Sequence, residues 1–325
     1  MNIKYLIIGS GIGGLAAAAQ LKSKGIEDFR VIDKSNDVPL NLHNGVHYLH
    51  TDNFGTPFDF ELKEITSTEE IWNPRKDEFK KQAHLPEMID YSIKVMNLRH
   101  PSSIMDPGGR AWKTYIPLSN NMNDLLVAYR DYIGQDKFEF GAKLTSINLE
   151  EHVATFEKEE MFFSVQYEHL ISTAPLNCMD GICGVDLQKE FKHQTVYVTN
   201  YKTEKIVPNW LVCLYISDDK FPVYRVTVLN NILSMESLKK LSPSEEHIIK
   251  YHLERYFEYE LESKQDYAWE TGRIWGLAKN DREEVVKMFA DKNVHLLGRF
   301  GQWDGKLTMD TTIIQAREII NEITK

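Results

Sequence analysis

Gly9-Ser10-Gly11-Ile12-Gly13-Gly14 is the stretch whose reading decides the fold. It has the spacing G-x-G-x-x-G. Before it lies a short apolar run, Ile3 to Ile8, of the kind buried in a parallel sheet. After it come Leu15 to Lys24 at helical spacing, and then Phe29 to Asp33 as a second strand ending in an acid. Strand, glycine turn, helix, strand and acid are together the context in which this pattern binds a dinucleotide. Gly9 makes the turn, Gly11 admits a pyrophosphate to the backbone, and Gly14 lets helix and strand pack closely. The helix N-terminus then faces the diphosphate, and Asp33 accepts a hydrogen bond from a ribose hydroxyl. Ser10, Gly13, Lys34 and, further along, Leu144 complete the expected cofactor contacts. The ADP half is common to nicotinamide and flavin dinucleotides, so the turn alone leaves both open.

The other end of the chain favours the flavin. Val294 to Leu297 reads as a buried strand followed by Gly298-Arg299, and Met309-Asp310 opens a last helix with Ile313, Ala316, Ile320 and Ile323 on one face. Asp310 is the expected N-cap. Flavoproteins with an N-terminal glycine loop bring such a C-terminal segment back to the flavin, where a second helix N-terminus suits the negative charge of the reduced ring. FAD is therefore the expected cofactor.

Between these ends the pattern changes twice. Residues 34–60 are rich in turn formers, 77–97 read as a helix, Pro101 to Gly109 as loop and Met122 to Ile133 as a helix. From 138 the period becomes two, with strands expected at 138–140, 143–149, 152–156, 161–166, 168–174, 194–202, 211–216 and 223–229. A helix from Pro243 to about Ser263 follows. The expected architecture is α/β: a Rossmann-type FAD-binding domain (1–60, 135–180 and 290–325) with an inserted, strand-rich substrate or cap domain (61–134 and 181–289) and a reduced helical region.

Composition narrows the function classes. The chain has 325 residues, 42% hydrophobic and 26% charged, with Lys plus Arg 38 against Asp plus Glu 48 and a net charge of −10. These are the proportions of an ordinary globular protein. No basic run exceeds two residues, which disfavours wrapping a phosphate backbone. Cys178, Cys183 and Cys213 are odd in number and lack a C-x-x-C pair, arguing against a disulfide framework or a zinc site. Glycines interrupt the apolar N-terminus and no cleavage pattern follows, so a signal peptide is not expected. No other stretch approaches bilayer length, and a cytoplasmic location is expected.

Four segments carry a resemblance. Besides the glycine loop, Gly45-Val-His-Tyr-Leu-His-Thr-Asp-Asn53 is similar to G-P-H-x-F-H-T-D-N, Gly298-Arg-Phe-Gly-Gln-Trp303 to G-R-F-G-x-W, and Phe221-Pro-Val-Tyr-Arg-Val-Thr227 to F-P-F-Y-R-x-T. All are motifs of the UDP-galactopyranose mutases, within the wider amine-oxidase-like FAD superfamily. Thr173-Ala-Pro-Leu176 also looks like a superfamily strand end that returns toward the FAD. The resemblance implies that His47 lies beside the isoalloxazine and that Arg225 meets the diphosphate of a sugar nucleotide. Trp303 joins them as an expected catalytic residue. Other mutase features are missing. No Gly pair follows the second strand, few residues separate Asn53 from Tyr115 for a helical domain, and Asp304-Gly-Lys-Leu307 holds no tyrosine after G-R-F-G-x-W.

Each residue also has a plainer reading: His47 as a loop histidine, Arg225 as a solvated strand arginine, and Trp303 and Tyr224 as core aromatics. As a fork, Arg225 would bind a phosphate or carboxylate of the substrate. His47 near its usual pKa of about 6.5 would give a pH-dependent rate. The expected function is an FAD-dependent oxidoreductase of the amine-oxidase type, acting on a small, anionic or nucleotide-linked molecule, with NAD(P)H or oxygen as redox partner. The alternatives are a UDP-sugar mutase using reduced flavin and a non-catalytic FAD-binding relative. No metal, membrane or nucleic-acid partner is expected.

Overall fold

The computed structural model describes residues 1–42, 45–73, 78–80, 85–96 and 111–325. β1 (Asn2–Ile8) and β2 (Phe29–Asp33) run parallel and flank α1 (Ile12–Ser23). Tyr5 and Ile7 point to one face of their sheet and Leu6 and Ile8 to the other. Both faces are covered, which is why the run is continuously apolar. α1 is buried all round from Leu15 to Ala19, and its row of alanines lets neighbouring helices approach closely.

β6 (Phe138–Phe140), β7 (Lys143–Asn148), β8 (Val153–Lys158) and β9 (Met161–Ser172) complete this first sheet with β13 (Val294–Leu296). The order is β6-β2-β1-β9-β8-β7, and β13 also pairs with β9. β1, β2, β6, β9 and β13 are parallel, so the chain's two ends meet in one sheet as expected. The expected strands 161–166 and 168–174 are one strand, β9. The last helix, α8 (Met309–Ile323), packs on the α1 face with α3 (Asn123–Ile133), burying Ile313 and Ile320. Its N-cap is Thr308, two residues earlier than the expected Asp310; Thr308 N donates to Thr311 Oγ1, and Thr308 Oγ1 donates to Asp310 Oδ1.

The second sheet holds β3 (Leu62–Asn73), β4 (Glu78–Lys80), β5 (Ala111–Pro117), β10 (His193–Tyr215), β11 (Val223–Ser237) and β12 (Lys264–Ile274). β3, β5 and β12 carry no clear alternation in the sequence. Within β3 the inward Ser67 is buried and bonds Thr114 Oγ1 at 2.8 Å, so a polar residue sits where an apolar one would have marked the period. β10 is continuous across the two strands expected at 194–202 and 211–216. Its pairing with β11 shifts register between Lys202 and Val207 and again between Val207 and Leu211. The mixed α/β architecture, a Rossmann-type sheet plus a second strand-rich sheet, is the one expected.

The helix expected at 77–97 divides. Glu78–Lys80 is strand, and α2 (Leu85–Met96) carries Pro86 in its first turn, where a missing N–H costs no helical hydrogen bond. α5 (Pro243–Phe257) opens on a Ser242–Glu245 capping box and stops at Glu258, whose φ is 57°, well before Ser263. The loop expected at Pro101 to Gly109 lies outside the described residues. The short α4 (Met179–Cys183) follows β9, and α6 (Lys279–Ala290) and the short α7 (Gly298–Gly301) lead into and out of β13. No helix among the described residues is long and apolar enough to cross a membrane.

Candidate functional site: one cavity between the two sheets

The glycine turn is held by its own sheet. Gly9 adopts φ 96°, open to glycine, and its N donates to Ile32 O at 2.9 Å. A Cβ on Gly14 would stand 1.8 Å from Gly9 O, so only glycine lets the helix sit this close. Thr173, at the end of β9, ties the turn down by donating from Oγ1 to Ile8 O at 2.7 Å. Asp33 Oδ2 accepts from Ser10 N at 2.5 Å and Ser10 Oγ at 2.8 Å, and Oδ1 accepts from Ser35 N at 2.7 Å. In this structure Asp33 therefore braces the turn itself. A carboxylate has about four acceptor sites, so capacity remains for a further donor.

From this turn a cavity of about 510 Å³ opens between the sheets. Gly11 and Gly13 line it at the α1 N-terminus, with Thr173, Gly298 and Met309 beside them. A Cβ built on Gly11 meets nothing within 4 Å, so the space in front of that backbone is open. That fits a pyrophosphate approaching the N-terminus of α1. At the far end stand His47, Tyr224, Arg225, Glu236, Val196, Val198, Trp269 and Gly272. The structure thus brings together residues from both chain ends, the 45–53 segment and the second sheet.

The segment around His47 is fixed by Leu49, which is fully buried and exchanges two 2.9 Å backbone bonds with Tyr115 of β5. This clamp leaves His47 and Tyr48 on the cavity wall. Burial pushes the His47 imidazole down to about 4; Glu236 opposes this and Arg225 adds to it. At neutral pH His47 is therefore uncharged, which corrects the expectation of a titration near pH 6.5.

Glu236 takes two of the five N–H donors of Arg225. Arg225 Nε donates to Glu236 Oε1 at 2.9 Å, and its Nη2 donates to the same oxygen. Tyr224 OH donates to Glu236 Oε2. The Glu236 side chain is only 13% exposed. Arg225 holds the Glu236 carboxyl below the usual range, against its burial, and the carboxylate in turn holds the guanidinium charged. The Arg273 guanidinium lies over the Tyr224 ring, 4.7 Å from its centroid. Arg299 also lines this end; its Nε is buried with no hydrogen-bond partner among the described residues. Burial and then the nearby Arg273 and Arg225 charges lower its affinity for the proton.

Several expected site residues do not reach the cavity wall. Trp303 is fully buried in the core, edge-on to Phe191 at 5.3 Å and His193 at 6.1 Å, with no side chain on the cavity wall. Lys34 is exposed beyond the end of β2, and Leu144 packs against the core on the far face of the first sheet. Gly9, Ser10, Gly14 and Asp33 shape the turn from behind, and Asp310 is buried in the first turn of α8. Reading the sequence missed Glu236, Arg273 and Gly272 altogether. The one available signal for Glu236 was a carboxylate inside the apolar run Ile232 to Met235; its partner is not visible from that run.

Residues 7–64 match the family profile described as an NAD(P)-binding Rossmann-like domain. None of the curated proteins matches the chain. Among solved structures, the fold is shared with reduced UDP-galactopyranose mutase at a TM-score of 0.74 and 16% identity, covering 100% of this chain and 94% of that one. It is also shared with a CLA-producing fatty acid isomerase from P. acnes (TM-score 0.65, 11% identity, 99% of each chain). Cyclohexylamine oxidase from Brevibacterium oxydans IH-35A matches at 0.63 and 12%, covering 100% of both. At these identities the likeness is one of fold.

Proposed function

We propose that the chain is an FAD-dependent enzyme, an oxidoreductase of the amine-oxidase type acting on a small molecule. The observation that carries the reading is the single cavity running from the bare Gly11 backbone at the α1 N-terminus to His47 and the second sheet. The flavin, when bound there, would supply the hydride acceptor for a C–H next to an amine or hydroxyl, with oxygen or a separate acceptor reoxidising it. The protein's part is then to bind and orient. The α1 N-terminus faces the diphosphate. The α8 N-terminus, with Thr308 and Met309 on the cavity wall, offers partial positive charge at the other side. His47, uncharged, offers a hydrogen bond without altering the local charge, and Val196, Val198 and Trp269 keep water from the far end.

The fold neighbours support the coarse reading, since oxidases and a mutase are among them. A second reading, a UDP-sugar mutase, is favoured by His47 and Arg225 standing on the same wall. The burial of Trp303 in the core weighs against it. The test is to denature the purified protein and record the supernatant spectrum. FAD absorbance is expected, and anaerobic addition of candidate amines or alcohols should bleach it without NADPH. A colourless protein that takes up no added FAD would sink the flavin reading; UDP perturbing the flavin, with no substrate bleaching it, would favour the mutase.

A further inference from the structure

The far end of the cavity holds positive charge that the protein leaves unanswered. Among the described residues, the fixed charges on the cavity wall are one carboxylate, Glu236, and two guanidiniums, Arg225 and Arg299. Glu236 is paired with Arg225 through Nε and Nη2. The Nη1–Nη2 edge of Arg225 keeps N–H donors for a further acceptor, on a side chain about a third exposed. Arg299 has no such carboxylate: its Nε is buried without a hydrogen-bond partner among the described residues. Burial, and then the Arg273 and Arg225 charges, already press on the Arg299 cation. An anion arriving beside it relieves both penalties. One negative charge balances the wall, because Glu236 has already answered Arg225 and His47 is neutral. A carboxylate supplies that single charge and two oxygens matched to guanidinium donors. Next to this charged end the wall is apolar, formed by Val196, Val198 and Trp269.

We propose that Arg299 and the outer edge of Arg225 together seat the carboxylate of the substrate, whose apolar body lies against Val196, Val198 and Trp269. The inference rests on the cavity being the substrate site of the flavoenzyme proposed above, and it narrows the substrate to an amino or hydroxy acid with an apolar side chain. Arg299 thereby takes a substrate role in place of the cofactor contact that its place in the sequence implies.

The test compares phenylacetate with its uncharged isostere phenylacetamide by calorimetry on the FAD-loaded protein. Neither has an amine or hydroxyl to oxidise, so binding is read without turnover. Wild type should bind the acid roughly tenfold or more tightly than the amide, the scale of a charge-assisted contact. Arg299→Met should keep its FAD and bind the two alike. Equal affinities in wild type would overturn the proposal, and so would an acid preference that survives in Arg299→Met. Inorganic pyrophosphate binding more tightly than phenylacetate would also overturn it, in favour of a diphosphate ligand. The wild-type comparison needs no variant, so it decides even if Arg299→Met fails to fold. A protein that takes up no FAD yet prefers the acid would sink the flavin reading alone. An FAD-loaded protein without the preference would sink this inference and leave the flavin reading standing.

Discussion

Arg225 and Glu236 belong to one strand, eleven residues apart, and form an ion pair. A straight strand would separate them by about 36 Å at about 3.3 Å per residue. They meet because the β10–β11 ribbon folds back on itself. Asn230 takes φ 55° at the bend, and the pairing register slips on either side of Val207. The pair thus depends on the bend, and the bend is stabilised by the pair. Removing one partner should be costly: Glu236→Ala leaves a guanidinium unpaired and should lose about 3–5 kcal/mol of unfolding free energy. Replacing both with Met should cost much less. Chemical denaturation of the two variants checks this; equal losses would mean that packing, rather than charge, is what matters there.

Two glycines of the turn should fail in different ways. A Cβ on Gly11 meets nothing within 4 Å, so Gly11→Val should fold normally, yet take up no FAD, because the side chain would fill the approach of the pyrophosphate. Gly14→Ala sets a Cβ 1.8 Å from Gly9 O and should lower the melting temperature whether or not FAD is present. Melting curves with and without added FAD separate the two cases. A Gly11→Val protein that binds FAD like wild type would remove the pyrophosphate from this turn.

His47→Ala should retain FAD, since affinity comes chiefly from the ADP half, but should shift the visible flavin spectrum and slow its reduction. Because the imidazole titrates at about 4, the reduction rate of the wild type should show no step near pH 6.5 assignable to His47. A step near pH 6.5 that vanishes in His47→Ala would show that the imidazole is charged in the working enzyme.

Acid should destabilise the fold through histidines kept neutral inside it. His295 on β13 contacts His169 on β9, with Nδ1 of His169 and Nε2 of His295 3.2 Å apart. Burial, and then the His169 charge, push His295 down to about 4. Its unfolded value is about 6.5, so the unfolded chain binds the extra proton. The stability contributed by the neutral ring is fully present above about pH 6.5 and is lost as the pH falls toward 4. His295→Gln should flatten the stability profile across that window. A mutant curve parallel to wild type from pH 7 to 4 would clear His295 of the role.

Arg299, rather than Arg225, is the guanidinium with an unpartnered Nε on the cavity wall. Arg299→Met should weaken binding of an anionic probe such as pyrophosphate to the wild-type cavity by about tenfold, the scale of a charge-assisted bond of roughly 1.5–3 kcal/mol. Calorimetry with FAD present measures it. Unchanged affinity would assign Arg299 to the cofactor or to packing.

The strand-turn-helix at the N-terminus, the return of the C-terminal strand and helix, and the strand-rich middle were all legible in the sequence. These rest on local rules: glycine spacing, an apolar run buried on both faces, and a period of three and four in the last helix. The strands Leu62–Asn73 and Lys264–Ile274 escaped because their inward positions carry Ser67 or charged neighbours, which erase the period of two. The site divided along the same line. Gly11, Thr173, His47 and Gly298 announce themselves by local motif, and the cavity gathers them. The ionisation of His47, the burial of Trp303 and the pairing of Arg225 with Glu236 were decided only by tertiary structure. Burial, solvation and charge pairing depend on which distant residue arrives alongside, and in β11 a fold in the ribbon brings together two side chains that an extended strand would hold far apart.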